Sequence, residues 1–149
     1  MTPADKVTRT DSGLASALRV SVARLSRRMR AERDPGNEML PVGQLSVLGL
    51  LSRYGDCTIG ELATLERVQP PSMTRTVNAL VEGGYVERRR SETDGRRVVV
   101  ALAAQGEQTL AADRRRRTAW LAQRLRELTP DERSVLRQAA PILERLAHA

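Results

Sequence analysis

Between Thr58 and Leu102 the spacing of apolar residues changes from a helical period to a strand period, and few small folds accommodate that change. Thr58 followed by Glu61 has the capping-box pattern, in which the two residues satisfy each other's backbone amides at a helix start. Ile59, Leu62, Ala63 and Leu65 then form a short apolar face. A break at Arg67-Val68-Gln69 leads to Pro70-Pro71, which opens a further helix because a proline in the first turn forfeits no helical hydrogen bond. In that helix Met73, Val77, Leu80 and Val81 share one side, while Pro71, Ser72, Arg75, Asn78 and Glu82 project from the others. Gly83-Gly84 signals its end. Tyr85 to Arg88 and Val98 to Leu102 read as strands flanking a turn at Asp94-Gly95.

Helices flank this block. From Asp11 to Arg33 the residues Leu14, Leu18, Val22, Leu25 and Met29 recur at helical steps, up to a break at Asp34-Pro35-Gly36-Asn37. A mostly buried helix starting near Pro41 carries Leu45, Val47, Leu48 and Leu51 inward. The last third predicts a helix over 106–128 and another opened by a second capping box at Thr129-Pro130-Asp131-Glu132. That final helix carries Val135, Leu136, Ala139, Ile142, Leu143 and Leu146, and Pro141 should kink it or end its first segment. The chain is therefore expected to be mainly α with a small β-hairpin.

At 149 residues, 40% hydrophobic and 29% charged, the chain fits one globular domain and lacks the composition of a disordered one. A net charge of +7 favours a polyanionic partner, nucleic acid or an acidic membrane surface. Lys6 is the single lysine, an arginine bias that codon usage in a GC-rich genome explains as readily as phosphate binding. One cysteine excludes an intrachain disulfide or a multi-thiolate metal site, and one histidine removes most imidazole chemistry. There is no glycine-rich phosphate loop, metal-ligand cluster or helix-borne His/Glu pair, so neither an enzyme nor a cofactor is expected. Three aromatic residues, Tyr54, Tyr85 and Trp120, are too few for RNA read by base stacking; Tyr54 and Trp120 are expected in the core or in dimer packing. No segment approaches the ~20 apolar residues of a membrane span, and 1–6 lack a leader's apolar core, so no membrane partner and a cytoplasmic setting are expected.

Two short helices joined by a tight turn, followed by a basic hairpin, have a specific physical use. The major groove of B-DNA admits one helix, whose first residues reach base edges, and the hairpin can then enter an adjacent minor groove. The DNA-contact set is Gln69, Pro71, Ser72, Thr74, Arg75 and Asn78 on the helix, with Arg88, Arg90, Asp94, Arg96 and Arg97 on the hairpin. The bland alternatives are a solvated helix face, an Arg96–Asp94 ion pair, and arginines 88–90 kept for solubility. Cys57, beside Asp56 at a helix start, reads as structural rather than redox-active, and His148 as part of a frayed terminus. Leu110, Arg114, Arg117 and Leu121 fall on one stripe, which makes Arg114 and Arg117 candidates for an anionic ligand, against the simpler reading of buried stems with solvated heads.

Together, Leu45 to Leu51, Thr58-Ile59-Gly60-Glu61-Leu62-Ala63, Pro70 to Val77, Leu80 to Arg88 and Asp94-Gly95-Arg96-Arg97 make the chain resemble the MarR family of winged helix-turn-helix repressors over nearly its whole length. The resemblance implies a single domain over 1–149. Within it, 11–33 and 104–149 would be dimerisation helices and 40–102 a winged helix-turn-helix DNA-binding lobe. It further implies a homodimer on a palindromic site of double-stranded DNA, with the Pro70 to Gly83 helix in the major groove, Asp94 positioning the wing and Arg96 in the minor groove. A small anionic or aromatic effector would release it. Pro41 and Ala103 stand where the family often has threonine. The alternative is a winged-helix module for DNA packaging or protein contact, with neither operator nor ligand.

Overall fold

The computed structural model describes residues 8–32 and 40–149, so Arg33 and the expected break at Asp34-Pro35-Gly36-Asn37 lie outside the described residues. The elements are α1 (Asp11–Ala31), α2 (Val42–Tyr54), α3 (Ile59–Glu66), α4 (Pro70–Glu82), β1 (Val86–Arg90), β2 (Val98–Leu102), α5 (Ala104–Arg126) and α6 (Pro130–Ala147). They divide into two compact units, one of residues 35–115 and one of 1–34 with 116–149, and the boundary falls within α5.

Residues 35–115 hold the core. Pro41 takes the N-cap position of α2 without a side-chain cap bond, and the helix turns Leu45, Val47, Leu48 and Leu51 inward as its spacing predicts. It stops at Gly55, whose φ of 78° suits glycine. The α3 capping box is complete: the Thr58 hydroxyl accepts from the Glu61 amide at 3.1 Å, and Glu61 accepts from the Thr58 amide at 2.8 Å. Leu62 and Ala63 are buried, but the expectation for Leu65 is corrected, because it is 41% exposed. Leu65 sits in the last turn, just before Arg67 adopts a left-handed φ of 56°, and borders an open pocket beside Tyr54 rather than a covering helix. Tyr54, expected in the core or in dimer packing, is exposed and so lies outside this subunit's core, with the Arg53 guanidinium 5.4 Å from its ring centre.

From α4 come Met73, Val77 and Leu80, with Val81 packed partly against the same cluster. Each fully buried leucine here, such as Leu48, Leu62 or Leu80, stabilises the fold by about 2 kcal/mol through lost apolar surface. Gly84, at a φ of 77°, turns the chain after α4, and the Tyr85 amide donates back to the Leu80 carbonyl at 2.9 Å. The strands pair antiparallel from Val86 with Leu102 to Arg90 with Val98. Cys57 adds a bridge that the sequence did not announce: its carbonyl accepts from the Val100 amide at 2.7 Å, and its amide donates to the Val100 carbonyl at 3.2 Å.

The other unit buries none of the α1 or α6 side chains. Leu14, Leu18, Val22 and Leu25 on α1, and Val135, Leu136, Ile142, Leu143 and Leu146 on α6, are exposed. Trp120 lies half-buried with the Arg28 and Arg124 guanidinium groups each 5.7 Å from its ring centre. The second capping box forms at Thr129 and Glu132, and α6 runs unbroken through Pro141, so the expectation that this proline ends a segment does not hold. A single proline removes one backbone donor, and the helix continues on both sides of it.

Candidate nucleic-acid interface

Within residues 35–115 the outer face of α4 is built by its own start. Gln69 is the N-cap and makes no side-chain cap bond, so its amide group stays exposed beside the first turn. Pro71, Arg75 and Asn78 are exposed, and Ser72 and Thr74 are half-buried. Two of these are held locally: the Thr74 hydroxyl donates to the Pro70 carbonyl at 3.0 Å, and Arg75 Nη2 donates to Ser72 Oγ at 3.3 Å. Asn78 Oδ1 accepts from Arg88 Nη2, so the polar face of α4 and strand β1 adjoin directly.

Asp94 shapes the hairpin tip. Its Oδ1 accepts from the Arg96 amide at 3.1 Å and its carbonyl accepts from the Arg97 amide at 3.0 Å, an Asx-type turn closed by the Ser91 amide donating to the Arg97 carbonyl at 2.9 Å. The Asp94 carboxylate is thus bonded to the backbone of Arg96, and no ion pair joins it to the Arg96 guanidinium among the described residues.

The wing arginines do not stand alike. Arg88 is bonded to Asn78, Arg89 to Asp56 with its Nε at 2.9 Å, and Arg97 to Glu61 Oε1 at 2.6 Å, while Arg90 Nη1 reaches the Gly95 carbonyl at 3.4 Å. The Arg96 guanidinium has no hydrogen bond or ion pair among the described residues and is exposed. Sequence reasoning missed Asp56 and Glu61 as partners. Glu61 was visible as a helix cap, but its second role depends on a residue 36 positions away.

The Thr58 amide and then the Arg97 guanidinium hold the Glu61 carboxyl below its ordinary value of 4.5. A depressed carboxylate stabilises the fold above the unfolded value, and that contribution is lost as pH falls through the lowered one. Cys57 is buried, and burial first, then Glu61 and Asp56, pushes its thiol up from the ordinary value. Fewer thiolates mean slower chemistry. Iodoacetamide at pH 8 should alkylate Cys57 at least about tenfold more slowly in the native protein than in urea; equal rates would contradict its burial.

Of the two ligand candidates, Arg114 lines an open cavity of about 470 Å³ together with Leu51, Asp56, Arg89, Leu102 and Leu110. Arg117, half-buried on the same helix, belongs to the other unit. No group of three or more potential metal ligands occurs among the described residues, and no helix there is long and apolar enough to cross a membrane.

A model described as the MarR family matches residues 40–98. An HTH-type transcriptional regulator of Mycobacterium bovis is 43% identical over 134 residues, 90% of this chain and 92% of the relative. The crystal structure of a transcriptional regulator protein from Pseudomonas aeruginosa matches with a TM-score of 0.80 at 35% identity, over 95% of this chain and 99% of that one. The fold also recurs in Streptococcus pneumoniae FabT, whose structure is a complex with DNA, with a TM-score of 0.58 at 20% identity over 91% of this chain and 92% of that one.

Proposed function

The chain belongs to the MarR family of helix-turn-helix transcriptional regulators, which bind DNA and are not enzymes, and on that premise we propose that it is a homodimeric, cytoplasmic repressor of a palindromic operator. The observation that carries this reading is the Arg88–Asn78 bond, which makes the polar face of α4 and the wing one continuous surface. On that surface Gln69, Pro71, Ser72, Thr74, Arg75 and Asn78 face the major groove. Arg88 and Arg90 lie toward phosphates, Asp94 sets the turn, and Arg96 with Arg97 beside it meets the minor groove. The whole chain acts as one MarR-type domain, with 40–102 as the DNA-binding lobe.

Dimerisation by 11–33 and 104–149 accounts for the exposed apolar rows of α1 and α6. Two copies of α4 then read half-sites ~34 Å apart. An anionic or aromatic effector in the cavity at Arg114, with Arg117 further along the helix, would release DNA by favouring a mismatched spacing, to the extent that it binds that form better. Selection of bound sequences from random DNA tests the reading. A two-fold-symmetric consensus is the expected result; a pool without consensus overturns it in favour of packaging.

A further inference from the structure

A DNA-binding surface gains nothing from carboxylates near the phosphate path, since each repels the polyanion. Yet Asp56 and Glu61 both stand against wing arginines. The pairs flank the Cys57–Val100 backbone bridge, so the start of α3 and the loop before it grip the hairpin at three points: Asp56 to Arg89 on β1, Cys57 to Val100 on β2, and Glu61 to Arg97 just before β2. Glu61 uses both oxygens, Oε2 for the Thr58 amide at 2.8 Å and Oε1 for Arg97 at 2.6 Å. The start of the first helix in the helix-turn-helix is thereby tied through one side chain to the residue next to Arg96.

We propose that Glu61 is a positioning residue for operator recognition: by holding Arg97 it fixes the angle at which the wing presents Arg96, with Asp56 doing the same for β1 through Arg89. This rests on the DNA-binding reading above. Its consequence has a sign that charge alone would not give. Removing a negative charge from a DNA-binding face raises affinity for any duplex, whereas loosening the wing lowers affinity for the correct one.

The test uses the full-length dimer, the operator duplex recovered by selection, and a scrambled duplex of the same length at the same salt. Glu61→Gln keeps the cap, because glutamine also accepts from the Thr58 amide, and loses the charged grip on Arg97. The expected result is scrambled-duplex affinity equal to or above wild type and an operator-to-scrambled ratio about fivefold lower, the effect an exposed ion pair can exert. Arg97→Gln leaves the Thr58 cap intact and should lower the ratio similarly, and the double variant should be no worse than Arg97→Gln alone. Should Glu61→Gln fold poorly, Asp56→Asn carries the comparison, because it loosens β1 through Arg89 without removing an arginine from the DNA-contact set. A ratio unchanged in Glu61→Gln, whatever Arg97→Gln does, or affinity raised equally on both duplexes, overturns the inference alone. A wild-type protein that does not prefer the operator overturns the underlying reading, and this inference with it.

Discussion

Gly106→Ala should destabilise the protein by about 3 kcal/mol, at the upper end of what overpacking costs. Gly106 is buried near the start of α5, and a Cβ there would stand far inside van der Waals contact of the Tyr85 carbonyl oxygen and 3.1 Å from Leu102 Cδ2. The Tyr85 carbonyl already accepts from the Ala103 amide at 3.1 Å, so backbone on both sides is pinned. Relief requires α5 to move off the base of the wing. Thermal unfolding checks this, with an expected fall in melting temperature of roughly 10 °C for a chain of this size. Gly49→Ala is the control: it lies within α2, meets nothing within 4 Å, and should be neutral or slightly stabilising. Equal melting temperatures for the Gly106 variant and wild type would show that α5 does not pack as described.

Arg96→Ala should leave the melting temperature unchanged and weaken operator binding by about 2 kcal/mol, roughly thirtyfold. Its guanidinium makes no bond within the described structure, while its backbone amide, which survives the substitution, keeps the Asp94 turn closed. An unpaired guanidinium at the wing tip needs no internal contact broken before it meets DNA, whereas Arg88, Arg89 and Arg97 must share or surrender theirs. Titration of operator and scrambled duplexes at several salt concentrations separates two roles. A minor-groove contact loses specificity, and a phosphate contact weakens both duplexes equally and flattens the salt dependence. An Arg96→Ala protein binding the operator as wild type would remove the wing tip from the interface.

The fold was legible wherever a single segment carried its own physics. The two capping boxes, the proline pair at α4, the Gly83-Gly84 stop and the inward residues of α2 and α4 are local patterns, and the structure has each of them. What escaped depended on partners distant in sequence. The bridge from Cys57 to Val100 is one residue pair with no period to detect. Leu65 fits an apolar helical face, but its exposure follows from what lies opposite the last turn of α3. Arg97 and Arg88 read as simple positive charges, and only the fold brings Glu61 and Asn78 to them. Pro141 shows the reverse limit, a strong local signal that α6 absorbs.

Chemical footprinting of the selected operator tests the central proposal that α4 and the wing read one duplex together. The account predicts protection of major-groove guanine N7 atoms in two blocks about one helical turn apart, ~10 base pairs, with minor-groove protection beside each block that Arg96→Ala abolishes. Saturated binding with the major-groove atoms still reactive, or minor-groove protection indifferent to Arg96, would contradict it.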